Sequence, residues 1–138
     1  MNEQVKWLEE HKFTYNDAMD EWRLDLPITG NFLIEGNDKP KYERRDIQVL
    51  KIVVKYYDHD KEGRVGWCAK IFVENAYDLN AADKSVYVTA RNEKSFLSDT
   101  VKEAIKLAGR NCLFNIMSCA NQVAKICDCT VTSMQKED

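Results

Sequence analysis

The chain is expected to fold as an α+β protein, a small antiparallel sheet of about three to five strands packed in two layers against a long C-terminal helix. Three observations carry that expectation. Residues 46–57 and 65–73 alternate apolar and polar side chains and are dense in β-branched residues, as half-buried strands are. Residues 95–128 repeat apolar side chains at helical spacing, through Leu97, Val101, Ala104, Ile105, Ala108 and Cys112 and on to Cys119, Val123 and Ile126. A length of 138 residues with 44% hydrophobic content, five Gly and two Pro fits one globular core. The expected organisation is a single domain, 1–138, with 1–30 as an acidic helical arm and 31–134 as the α+β core.

Taken in order, residues 3–11 form a short helix around Val5 and Leu8. A second helix starts at Thr14, where Thr14 and Asp17 approximate a capping pair and Tyr15, Ala18, Met19 and Trp22 share a face. Pro27 ends it. Residues 31–35 read as a short strand and 36–40 as a turn. Residues 46–57 read as a strand, with a helix capped at Asp46 as the alternative, since Ile47, Leu50, Val54 and Tyr57 also fit one face. A polar turn at 58–63 leads into the strand at 65–73, and Val86, Val88 and Ala90 mark a third. Ser95 or Ser98 caps the long helix, with Asp99 in its first turn, and Gly109 divides it in two. Residues 129–134 add an edge strand.

Charge separates the arm from the rest. Lys and Arg total 20 against 23 Asp and Glu, net -3; residues 1–30 hold seven of the acids and three of the bases, so that net -4 lies in the arm and +1 elsewhere. Such a balance disfavours indiscriminate nucleic-acid binding. It makes Glu9, Glu10, Asp17, Asp20 and Glu21 candidates for meeting a basic partner, beside the plainer reading of a solvated face. On the long helix, Lys102, Lys106 and Arg110 recur at i, i+4, i+8, with Arg91 and Lys94 at the preceding junction and Tyr87 as a stacking face. Asp99 and Glu103 lie within the same turns and can pair with Lys102 and Lys106.

Catalytic and metal signatures are sparse. Cys112, Cys119, Cys127 and Cys129 are spaced C-x6-C-x7-C-x-C, unlike the close pairs of structural zinc sites, and read as core thiols with Cys129 the most reactive. His11 and His59 lie 48 positions apart, and Asp58-His59-Asp60 reads as a solvated turn. There is no G-x-S-x-G, no phosphate-cradling glycine loop and no H-E-x-x-H. The expectation is a protein that is not an enzyme and holds no metal or cofactor. Five Cys, an odd number, and an N-terminus MNEQVKWLEE without the basic and apolar regions of a secretory signal point to a reduced, cytoplasmic protein. No apolar run approaches the ~20 residues that span a bilayer.

The order of three strands and a helix resembles double-stranded-RNA-binding domains, although SFLSDTVKEA lacks their consecutive lysine pair. A second likeness rests on residues: Pro40-x-Tyr42, Asp46-Ile47, Gly66-Trp67-x-Ala69 and Ala104-Ile105. Over about residues 40–108 this order is similar to the small phage-encoded "ABA sandwich" proteins, with the Tyr42 to Asp46 spacing departing from their pattern. The resemblance implies a phage or mobile-element accessory protein in the host cytosol. The family brings no activity with it; small size, acidic balance and the absence of catalytic motifs, joined to that origin, give the expectation of action by protein–protein binding, with inhibition of a host component such as a defence complex as an analogy. The alternative is a nucleic-acid-binding module using the basic ridge. A homodimer through Tyr57, Phe72 and Tyr87 on the less buried strand faces is a further expectation.

Overall fold

The computed structural model describes residues 2–35, 41–59, 63–75, 88–91, 97–112 and 117–136. Its elements are α1 (Asn2–Glu10), β1 (Thr14–Asn16), β2 (Glu21–Glu35), β3 (Lys41–Tyr57), β4 (Gly66–Asn75), β5 (Val88–Arg91), α2 (Val101–Arg110), α3 (Met117–Ile126) and α4 (Val131–Gln135). The strands form one antiparallel sheet in the order β1-β2-β3-β4-β5, and the helices gather on one of its faces. The α+β class and small antiparallel sheet are as expected.

Alternation decides which face is inward. Leu50, Ile52 and Val54 of β3 stand opposite Val73, Ile71 and Ala69 of β4, and all six are buried. Their neighbours on β2 are Leu26, Leu24 and Trp22, half-buried against the same core. Val101, Ala104, Ile105 and Ala108 of α2 cover this surface, because they recur on one helical stripe. Val123, Cys119 and Cys127 from α3 and its end, with Met134 from α4, complete the layer.

The expected helix from Thr14 is instead a hairpin. Tyr15 and Trp22, taken as one helical face, stand opposite each other across β1 and β2 with ring centroids 5.1 Å apart. Residues 17–20 make the turn, which Asn16 organises by accepting a hydrogen bond from the Met19 amide at 3.2 Å. A helix would have left Trp22 without that cross-strand partner. The helical arm is therefore only α1, and Pro27 stands inside β2 opposite Val49 of β3, past the residues that β1 pairs. The expected strands at 46–57 and 65–73 are present and longer, and the helical alternative at Asp46 is displaced. Of the third, residues 88–90 fall in β5, while 85–87 and the turn at 36–40 lie outside the described residues.

The long C-terminal helix is corrected to two short ones, α2 and α3, which part just past the expected division at Gly109. Thr100, not Ser95 or Ser98, caps α2, its hydroxyl accepting from the Glu103 amide at 3.2 Å. Ser95 lies outside the described residues, and Ser98 pairs with Trp67 through two backbone hydrogen bonds of 2.7 and 2.9 Å. Gly109 does not break the helix. It is the point of close approach, where an added Cβ would lie 2.9 Å from both Met134 Sδ and Val123 Cγ1. The chain leaves α2 after Arg110. The expected edge strand at 129–134 is α4, because Thr130 and Ser133 form a reciprocal capping box that outweighs the β-branched pair Val131 and Thr132.

Candidate functional site

The inward face of the sheet is longer than the helices that cover it. At the end where β3 stops and β4 begins, its aromatic row is open: Tyr15 opposite Trp22, and Tyr56 opposite Trp67 with ring centroids 5.2 Å apart. α1 supplies the facing wall through Val5, Gln4 and Glu3. Two adjoining cavities result, of about 430 and 530 Å³, and Tyr56 and Trp67 line both.

The wall holds its place for local reasons. α1 ends on Lys12 in a left-handed conformation (φ 68), which lets the Phe13 amide reach Leu8 O at 3.0 Å and the Lys12 amide reach Glu9 O at 3.1 Å. That closure turns Phe13 into the core beside fully buried Leu8. His11 stacks on Trp7 with centroids 3.8 Å apart and contacts Trp7 O through Nδ1 at 2.8 Å. Gln4 accepts a hydrogen bond from the Val101 amide at 2.7 Å, tying α1 to the first turn of α2.

Acids rim the opening, each from an element end. Asp20 and Asp58 line the first cavity, and Glu3 and Asp99 line the second. Asp20 is held in a left-handed conformation (φ 52), and the Tyr15 hydroxyl donates to it at 2.6 Å. That hydrogen bond, with the negative charges of Asp20 and Asp17, holds the Tyr15 phenol above its usual pKa of 10.0. Tyr15, which lines the first cavity, is 44% exposed; Met19, which adjoins Asp20 in sequence, is 53%, and Val65 just ahead of β4 is 57%. Ser98 is buried beside Trp67, its hydroxyl lacking a hydrogen-bond partner among the described residues. The arrangement suits a ligand that is cationic at one point and apolar around it.

The acidic-arm candidates are not gathered into one patch. Asp20 enters the cleft, Glu9 and Glu10 are exposed on α1, Asp17 is exposed in the hairpin turn, and Glu21 accepts from Arg23 Nε at 2.9 Å. Glu3, Asp58 and Asp99 were missed as site residues, as were the four aromatics. Alternation marks Tyr56 and Trp67 as inward-facing, but which acids meet them depends on the strand pairing.

The basic ridge is drawn into the helical layer. Lys102 Nζ lies 3.2 Å from Asp128, just past α3, rather than beside Asp99 or Glu103. Arg110 Nε donates to Met134 O of α4 at 3.2 Å, and Lys106 is half-buried. Arg91 falls in β5 by its backbone, while Tyr87 and Lys94 lie outside the described residues. For the cysteines, burial pushes the Cys127 and Cys112 thiols up to about 12, the nearby Cys119 adding to the shift of Cys112, and Cys129 is half-buried. His59 is open to solvent with Nδ1 3.4 Å from Asp58. Among the described residues no three His, Cys, Asp or Glu side chains converge as metal ligands, and no helix is long and apolar enough to cross a membrane.

Compared with known proteins, the chain matches no family model, no curated protein and no solved structure.

Proposed function

We propose that this protein works by binding, without catalysis, and that the acid-rimmed aromatic cleft docks a basic segment of a protein partner. The observation that carries this reading is the convergence of Asp20, Asp58, Glu3 and Asp99, from four separate parts of the chain, on cavities floored by Tyr56 and Trp67. Aromatic anchors with an apolar rim are the composition of an interface centre, and carboxylates around them select the sign of the partner. In the phage-type role implied by the likeness over residues 40–108, the partner is a host protein whose action is blocked in the cytosol.

The nucleic-acid alternative draws on Lys102, Lys106 and Arg110. The engagement of Lys102 with Asp128 and of Arg110 Nε with the end of α4 weighs against it, since a phosphate would compete with a carboxylate for Lys102 and meet a guanidinium turned toward α4. The test is selection of a displayed random-peptide library on the immobilised protein. Lys- or Arg-containing peptides are expected to be enriched, and to be lost on Asp58→Asn/Asp99→Asn. Enrichment of neutral or acidic peptides, or basic enrichment indifferent to that double variant, overturns the reading.

A further inference from the structure

We infer that the cavity bounded by Tyr15, Trp22, Tyr56 and Trp67 is an arginine pocket, seating one guanidinium of the partner segment in preference to a lysine ammonium. The inference rests on the docking reading above and adds the identity of the anchoring side chain.

Three features of the cavity favour the guanidinium. The first is ring orientation. The Tyr15–Trp22 rings are tilted at 50° and the Tyr56–Trp67 rings meet edge-on at 60°, so neither pair is stacked flat, and exposed Tyr15 with half-buried Trp22 and Tyr56 offers ring surface to a third group. A planar, weakly hydrated guanidinium stacks on such faces, whereas a compact ammonium holds its water shell. The second is the fixed acid. Asp20 is oriented before any ligand arrives, by the Tyr15 hydroxyl and by its own left-handed backbone, and Asp58 stands at the end of β3 lining the same space. A guanidinium stacked on the rings still has in-plane N–H donors to send to these carboxylates; an ammonium has no such plane.

The third is room and surroundings. About 430 Å³ lies within the range of pockets that take a small ligand, and accepts an arginine with its methylene stem. Val5 lines the cavity and suits the methylene stem. Lys55, next in sequence to Tyr56, extends along the other face of the sheet, with its ammonium 5.6 Å from the centroid of the Tyr57 ring and 3.4 Å from Met19 O.

The experiment is a titration followed by tryptophan fluorescence. The probes are three capped pentapeptides, Gly-Leu-X-Leu-Gly, with X as arginine, lysine or citrulline, the last being arginine's neutral near-isostere. Arginine is expected to bind about fivefold or more tightly than lysine, the scale of one cation–π contact, and citrulline not to saturate. Trp22→Leu, checked for its fold by circular dichroism, should erase the arginine preference, while Asp58→Asn weakens both charged peptides. Equal arginine and lysine affinities, both sensitive to Asp58→Asn, overturn the arginine pocket and leave basic docking standing. Should none of the pentapeptides bind, the strongest library-selected peptide is remade with each arginine changed to lysine and to citrulline. An unchanged affinity then overturns the inference, and a fivefold loss supports it. A library that yields no basic peptide removes the docking reading and this inference together.

Discussion

At the scale of single residues, three non-glycine positions among the described residues take left-handed backbone conformations, and they divide by purpose. Lys12 and Asp128 each follow a helix and let the next amide reach back five residues, Phe13 to Leu8 and Cys129 to Ala124. Glycine is the usual occupant of that position because a Cβ is strained there. Lys12→Gly and Asp128→Gly should therefore each raise stability by about 0.5–1 kcal/mol, read from urea midpoints; the exposed Lys102–Asp128 pair offsets little in the second case. A loss of stability in both would contradict the capping geometry. Asp20 is the third, and its strain accompanies a carboxylate aimed into a cleft. Asn tolerates the left-handed region and still accepts from the Tyr15 hydroxyl, so Asp20→Asn should leave the melting temperature within a degree or two while weakening a basic peptide severalfold. Circular dichroism and peptide titration on one preparation check both halves. Neither cap position was legible in the sequence, since Lys12 carries no side-chain signal for a positive φ and Asp128 only the weak one of an Asp side chain.

At the scale of elements, what the sequence disclosed follows from how local each determinant is. β3 and β4 could be read because alternation is a property of the strand itself, and their inward residues are the buried ones. The β1–β2 hairpin could not, since Tyr15 and Trp22 at i, i+7 satisfy a helical face as well as a cross-strand pair, and only β3 alongside decides between them. The C-terminal apolar stripe was right in its contents and in its division near Gly109, and wrong in its length. Ala104, Ala108, Cys119 and Val123 are buried as expected, on two short helices of which the first ends one residue past that glycine. The cationic ridge shows the same limit, because its partners are on α4 and beyond α3. Arg110→Gln should lower stability by about 1 kcal/mol through the lost hydrogen bond to Met134 O, while Lys102→Ala, with an exposed partner, should stay within about 0.5 kcal/mol. Equal losses in urea denaturation would show the two cations playing one role. The thiols of this layer give it an alkaline limit. Cys112 and Cys127 are raised from 9.0 to about 12 by burial, so the folded state keeps protons that the unfolded chain releases. Their contribution is present below pH 9 and is lost as pH rises from about 9 toward 12. The fall in urea midpoint between pH 7 and 10.5 should be smaller in Cys112→Ala/Cys127→Ala, each profile compared with its own value at pH 7.

At the scale of the whole molecule, the cleft was the least legible feature because no part of it is local. Asp20 comes from a hairpin turn, Asp58 from the end of β3, Asp99 from the approach to α2 and Glu3 from α1, and their meeting is a consequence of the complete sheet order. Sequence showed only that the arm is acidic, and of its seven acids the fold delivers Glu3 and Asp20 to the cleft. The molecule carries net -3, and its rim acids are exposed, so their attraction for a basic segment acts through water and is screened. A phosphate backbone meets the opposite situation: repulsion from the rim, and a ridge whose Lys102 and Arg110 are already engaged. The two partner classes should consequently separate by salt. A library-selected basic peptide should associate fastest at about 10 mM salt, where the screening length is about 30 Å, and lose most of that rate by about 1 M, where it is about 3 Å, with dissociation less affected. A labelled single- or double-stranded oligonucleotide should show no mobility shift even at the lowest salt. A salt-sensitive shift abolished by Lys102→Glu/Lys106→Glu would place function on the helical ridge instead. A peptide association rate indifferent to salt would mean that the rim carboxylates take no part in capture, however well the aromatic floor fits its ligand.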